Sequence, residues 1–192
     1  MDALDCILTR RSHGRLTEPA PSDADLGRLL AAAAAAPDHG LLRPWRFIVL
    51  RGHALLRLGE VFAKAEEARG ADAGTLVPEE VLARTRAKPL RAPLIVALIA
   101  SPKESPKVPA WEQLASAAAA AQNLCLAAHA LGYGSMWRTG WYGDAPEVRA
   151  HLELASSERV MAWIYLGTRR GDAALPPRPL ADLAALTAIL DD

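Results

Sequence analysis

At 192 residues the chain suits one domain, here taken as residues 1–192, with a core large enough to need neither disulfide nor metal. Lys plus Arg and Asp plus Glu stand at 22 each, so the net charge is zero, and neither nucleic acid nor an anionic membrane surface is an expected partner. No apolar run approaches the roughly 18 residues of a membrane span, and the opening MDALDCILTRR is too short and too acidic for a signal peptide, so a soluble, cytoplasmic protein is expected.

In chain order, residues 2–10 predict a short amphipathic helix with Leu4, Ile7 and Leu8 on one face. Pro19 and Pro21 mark a turn. Ser22 and Asp25 then open a helix through Ala36, with Pro37 as its stop. Trp45 to Leu50 reads as a strand. Residues 53–69 read as a helix, and 70–92 as loop-like with a charged helix inside. Leu94 to Ala100 is a continuous apolar run, hence a buried strand.

Ser101 to Pro109 is polar and proline-rich, a surface loop or lid. Ala110 to Leu131 reads as one long buried helix, alanine-rich on nearly every side, with Gly132 placed to end it. Residues 133–138 predict a strand, and Asp144 with Glu147 a capped helix to about residue 152. Val160 to Gly167 is another apolar strand. A proline-rich arm follows, turning amphipathic at Leu180–Leu190. Cys6 and Cys125 sit in helix interiors and read as buried free thiols; no C-x-x-C or other metal-ligand spacing occurs. The order of elements is not the strict β-α alternation of a doubly wound sheet, and there is neither G-x-G-x-x-G nor a P-loop.

Three groups of residues carry possible chemistry. Arg10-Arg11-Ser12 can clamp a dianionic phosphate or stand as a solvated basic helix end. His39, in Pro37-Asp38-His39-Gly40, can hydrogen-bond a ring carbonyl or serve the fold. Trp137-Arg138-Thr139-Gly140-Trp141 can stack on and pair with a planar anion, or be aromatic core at a strand end.

Together the pieces resemble the nitroreductase family, nearest to its small, minimal bacterial branch. They are "RRSHGRL", "APDH" with "PWRFIVL", "APLIVALIA", the alanine-rich helix ending "LGYGSMWRTG", and "YLGT". The resemblance implies an α+β fold, a central, mostly antiparallel sheet wrapped by helices, in an intertwined homodimer with FMN at the interface. It implies an FMN-dependent NAD(P)H oxidoreductase that reduces nitroaromatics, quinones or similar acceptors by hydride transfer through flavin N5. An oxidase, dehalogenase or desaturase, or a non-catalytic FMN-binding protein, are the other functions this scaffold allows.

By the same resemblance, Arg10, Arg11 and Ser12 match phosphate and ribityl contacts, and Arg15 a cation near the pyrimidine edge. Ala35 and His39 match contacts from the partner chain. Trp137, Arg138 and Thr139 match a loop that reaches the flavin, and Arg178 a C-terminal phosphate contact. Leu41 stands where many members have a ring-contacting Asn, and Arg15 follows Ser12 by three residues instead of two. A cation such as Arg15 near N1 and O2 raises the flavin potential. Hydride transfer to N5 needs no protein acid or base, so no catalytic side chain is assigned.

Overall fold

The computed structural model describes residues 1–169, 179 and 181–190. Arg178 lies outside the described residues. The helices are α1 (Ala3–Thr9), α2 (Asp23–Ala34), α3 (His53–Asp72), α4 (Glu79–Arg86), α5 (Ala110–Ala130), α6 (Pro146–His151) and α7 (Leu183–Leu186). The strands are β1 (Leu16–Thr17), β2 (Trp45–Arg51), β3 (Leu94–Ala100), β4 (Gly134–Arg138) and β5 (Arg159–Arg169). Short 3-10 turns cover His39–Leu41, Pro89–Arg91 and Trp141–Asp144. Among the described residues, no helix is long and apolar enough to cross a membrane.

The strands form one sheet in which every ladder is antiparallel. β3 sits between β2 and β5, while β1 and β4 both pair with β5. All of β3 is solvent-inaccessible. Its alternate side chains fall into two apolar clusters, one on each face. Leu94, Val96 and Leu98 meet α2 and α5 through Leu29, Ala117, Ala121 and Leu124. Ile95, Ala97 and Ile99 meet α3 and α6 through Leu58, Phe62 and Val148. Alanine on α5 lets that helix lie close to the sheet, which explains a run of small residues at the centre of a protein.

Several boundaries differ from the sequence reading. Ser22 does accept from the Asp25 N–H at 3.1 Å, but α2 stops at Ala34 and leaves Ala35 as its cap. Asp38 is extended, at φ −145°, so Ala35 and His39 do not share a helix face. Asp144 caps nothing: it lies in a 3-10 turn, pairs with Arg159 at 3.6 Å, and α6 opens on Pro146. The two-residue β1 was not foreseen; it pairs with Thr168 and Arg169 and carries β5 past Gly167. Among the described residues of the amphipathic tail, only Leu183–Leu186 is helical. The 101–109 loop is pinned rather than free, because buried Gln113 bonds Lys103 N, Lys103 O and Val108 O.

One ion pair ties the edge of the sheet to the start of β5. Arg46 on β2 reaches Glu158 with two hydrogen bonds, Nε at 2.7 Å and Nη2 at 2.8 Å. Glu158 also accepts from the Ala155 N–H at 3.1 Å. The Arg46 bonds outweigh burial and hold the Glu158 carboxyl at about 2, below its ordinary 4.5. A depressed folded pKa means that this stabilisation is whole above the ordinary value and fades as pH falls through the folded one. Glu158→Gln is expected to cost about 2–4 kcal/mol at neutral pH. Denaturant unfolding across pH checks it: the gap between the two proteins should be full above pH 4.5 and vanish towards pH 2.

Candidate active site

β4 pairs with β5 along one edge, from Gly134↔Gly167 to Arg138↔Trp163. Its other edge receives the segment that follows α1. Ser12 bridges Ser135 in parallel, and the His13 N–H donates to the Ser135 carbonyl at 3.0 Å. The approach is close because residue 134 is glycine: a Cβ there would lie 2.3 Å from Leu16 Cδ2 and 3.2 Å from Arg169 Cγ. The basic string Arg10 to Arg15 is thereby laid beside Trp137, Arg138 and Thr139, which are 122 or more residues away in sequence.

Strand alternation divides these residues between the two faces. On the α5 face, Trp137 packs against the larger apolar cluster. Arg10 Nη1 donates to Ser12 Oγ at 3.5 Å. Arg10 is near enough to Cys125 and His129 to act on both, although burial is the larger influence: it pushes the thiol up and the imidazole down. Arg169 donates to His129 Nδ1 at 2.9 Å, and arginine has no acceptor, so the His129 proton sits on Nε2, against Thr9 Oγ1 at 2.9 Å. Burial and then Arg169 likewise hold His13 below its usual range.

On the other face lies a cavity of about 190 Å³. Phe62 stacks on Tyr142 (4.7 Å between centroids), Tyr142 stacks on Trp141 (4.1 Å), and Trp163 meets Phe62 edge-on (5.4 Å). Arg138 sits 5.5 Å over the Tyr165 ring and donates to the Gly14 carbonyl at 3.4 Å, while its Nε is buried without a partner among the described residues. Lys88, Arg91 and Thr139 complete the lining. Lys88 donates to the Tyr142 hydroxyl, which donates to Glu66. Burial, then Glu66, pushes the Tyr142 phenol up to about 12, and burial lowers the Lys88 ammonium.

Arg91 also borders an open groove of about 550 Å³, lined by Arg15, Arg84 and Leu90. The cavity alone is smaller than the roughly 300 Å³ at which pockets for drug-sized ligands begin, and the adjoining groove extends it into that range. Flat aromatic walls, a rim of cations and an orphaned guanidinium N–H suit a planar ligand that carries negative charge.

Sequence reasoning missed Lys88 and Arg91, which fall in the stretch read as loop-like. A signal was present. Arg84, Lys88 and Arg91 are spaced four and three apart, which places them on one side as α4 runs into the 3-10 turn.

Ala35 and His39 are not part of this edge. Both are exposed, and His39 Nδ1 lies 2.9 Å from the Glu112 carboxylate in the first turn of α5. A larger hollow of about 750 Å³ lies over the 102–110 loop and contains none of the expected site residues.

Comparison with known proteins gives one consistent result. The family model described as "Nitroreductase family" matches residues 7–168. The Escherichia coli (strain K12) protein named "Putative NAD(P)H nitroreductase YdjA" is 38% identical over 168 residues, which is 88% of each chain. A nitroreductase-like family protein from Bacillus cereus superposes with a TM-score of 0.81 at 22% identity, over 100% of this chain and 97% of its own. A nitroreductase with bound FMN from Bacteroides fragilis does so with a TM-score of 0.75 at 24% identity, over 100% of both chains.

His39 makes no bond to the end of α2, so it is not that helix's cap. The His39 and Glu112 side chains are 64% and 31% exposed, and an ion pair so exposed is worth roughly 0–1 kcal/mol. His39→Ala is therefore expected to leave thermal stability within about 1 kcal/mol of the parent. A clearly larger loss in calorimetry would give His39 a structural post.

Proposed function

The chain belongs to the nitroreductase family, and on that premise we propose that it is a cytoplasmic, FMN-dependent NAD(P)H oxidoreductase. In this reading residues 1–192 form one domain and two copies build each site. The observation that carries it is the joining, at the free edge of β4, of a basic string to an aromatic cavity that contains an unpartnered guanidinium N–H. The relative named as an NAD(P)H nitroreductase and the FMN-bound neighbour support the same activity. Two buried free thiols suit a reducing compartment.

Bound FMN supplies the two-electron carrier between a reduced nicotinamide and a small oxidised acceptor such as a nitroaromatic or a quinone. Arg10, Arg11 and Ser12 hold its phosphate by charge-assisted hydrogen bonds. Arg15, Arg138 and Thr139 hold the ring and its pyrimidine edge, with Lys88 and Arg91 adding positive potential there. The Phe62–Tyr142–Trp141 stack gives the ring a dry wall. Tyr142 keeps its proton across the physiological range and donates it to Glu66, whose carboxylate also lies 4.0 Å from Lys88 Nζ, so Lys88 shares its charge between Glu66 and the ligand.

Two further observations support the homodimer. The α1 face of Leu4, Ile7 and Leu8 is exposed at 70%, 47% and 66%, and Trp111 at the start of α5 at 68%. Also, Glu112, which holds His39, and Cys125, beside Arg10, are 13 residues apart on α5. At 1.5 Å per residue that is about 20 Å, too far for one ring system to touch both. A two-fold that sets the helices of two copies antiparallel brings Ala35 and His39 of one chain to the β4 edge of the other.

The purified protein is expected to be yellow, with one FMN per chain that bleaches on addition of NADPH under nitrogen. A colourless protein that takes up no FMN overturns the proposal. In fluorescence titrations, Arg10→Ala and Arg138→Ala should each weaken FMN binding roughly ten- to a hundredfold. Arg43→Ala, an exposed loop cation, should change it little. Equal losses for all three would place the flavin elsewhere.

Leu8→Glu tests the dimer, because the side chain is exposed in a single chain and the variant can fold. Sedimentation should show monomer with native-like circular dichroism and loss of FMN. A parent protein that sediments as an FMN-loaded monomer would dispose of the shared site.

A further inference from the structure

The groove beside the aromatic cavity is more basic than a flavin ring requires. Arg15, Arg84 and Arg91 all line it, together with Leu90, Thr17, Ala87 and Leu16, and among the described residues no carboxylate does. In a chain with equal numbers of acidic and basic residues, such a local surplus is not a consequence of composition. Of the acidic residues near it in sequence, Glu18 accepts from the Ala20 N–H at 2.7 Å, and Glu79 pairs with Arg86, as the more distant Glu60 does. Glu80 pairs with Arg84 on the same helix, an i,i+4 contact between side chains 75% and 71% exposed, which a stronger anion displaces at little cost. Among the described residues, Arg15 and Arg91 have no carboxylate within ion-pair distance.

Position narrows the ligand. Arg91 borders the groove and the cavity, so a molecule whose planar end lies over a flavin seated in the cavity can reach the groove with its far end. The reduced nicotinamide is such a molecule. Both of its forms carry a pyrophosphate, but only NADPH carries a phosphomonoester, near −2 in charge at pH 7. Guanidinium forks match that group in geometry and in charge.

We propose that this groove, through Arg84 and Arg91, seats the adenosine 2′-phosphate of NADPH and makes this chain prefer NADPH over NADH. The inference rests on the functional reading above. The chemistry it invokes, a phosphomonoester in an arginine groove, is shared with FMN itself, and the test separates the two.

Arg84 lines the groove and not the cavity, and it is exposed, so Arg84→Gln folds and leaves the flavin walls intact. Three measurements on parent and variant suffice. The first is FMN content and affinity. The second is binding of adenosine 2′,5′-bisphosphate and of adenosine 5′-monophosphate, followed calorimetrically on the FMN-loaded protein. The third is kcat/KM for NADPH and for NADH.

The expected result is that the parent binds the bisphosphate at least tenfold more tightly and prefers NADPH. Arg84→Gln should lower bisphosphate affinity and NADPH kcat/KM about three- to tenfold and move the NADH value far less, with FMN affinity unchanged. Arg84→Lys should restore part of the loss, and added salt should erode the preference in the parent. A parent that prefers NADH, or equal losses for both nucleotides, overturns the proposal. A fall in FMN affinity would assign the groove to the flavin phosphate and overturn it too. A protein that binds no FMN at all fails the functional reading instead, at the first measurement.

Discussion

β3 is buried on both faces and paired on both edges, and most of the fold follows from that. Seven consecutive residues, Leu94 to Ala100, have no accessible surface. A strand with only apolar side chains can satisfy its backbone only by pairing on both edges, and can hide its side chains only under a layer on each face. β2 and β5 supply the edges. α5 and α2 supply one layer, and α3 and α6 the other. The alanines of α5 are the local solution: a helix of larger residues would stand off the sheet and leave β3 loosely packed.

The same demand leaves β4 short of neighbours. β5 pairs with β3 over most of its length and with β1 at its far end, and β4 pairs with it over only five residues. An open edge presents unpaired N–H and C=O groups, and here the segment after α1 covers part of it through Ser12 and His13. What lies along an uncovered strand edge is decided by what the chain brings there, and this chain brings arginines. The candidate site is thus a consequence of sheet topology: a partly covered strand edge is where backbone, cation and aromatic wall from distant parts of the sequence come together.

The elements that sequence reasoning read well are those with strong local grammar. The apolar run of β3, the Ser22–Asp25 cap and the helix ended by Gly132 are each written in a few adjacent residues. The misplaced features depend on partners far away. β1 is two residues long and exists because Thr168 and Arg169 pair with it. Trp137 and Arg138 are adjacent in sequence, yet strand alternation sends them to opposite faces, so one joint role for both could not be resolved without the sheet. The resemblance pointed to Arg10 to Arg15 as cofactor contacts, but not to Lys88 and Arg91, which join the candidate site only when α4 and its 3-10 turn border the cavity and groove. Arg46, inside the "PWRF" block that helped identify the family, holds Glu158 and not a ligand.

The cluster of cations has an energetic consequence for the protein without its ligand. Arg10 and Arg169 crowd His13 and His129 closely enough to help depress both imidazoles, after burial; Arg11 adds to the effect on His13, and Arg91 to the lowering of Lys88. Burial is the larger cause in each case, and the smaller, coulombic part records positive potential at the β4 edge. The stored repulsion opposes folding and is relieved by any anion that binds there, so ligand binding and stability are linked beyond simple mass action. Arg138 adds to it with a buried, unbonded N–H, whose desolvation is a cost until an acceptor arrives. The sheet core, which has no charged group, carries the stability that lets this edge remain strained towards its ligand. The functional site is therefore the least self-sufficient part of the molecule, and the buried β3 is what makes such a site tolerable.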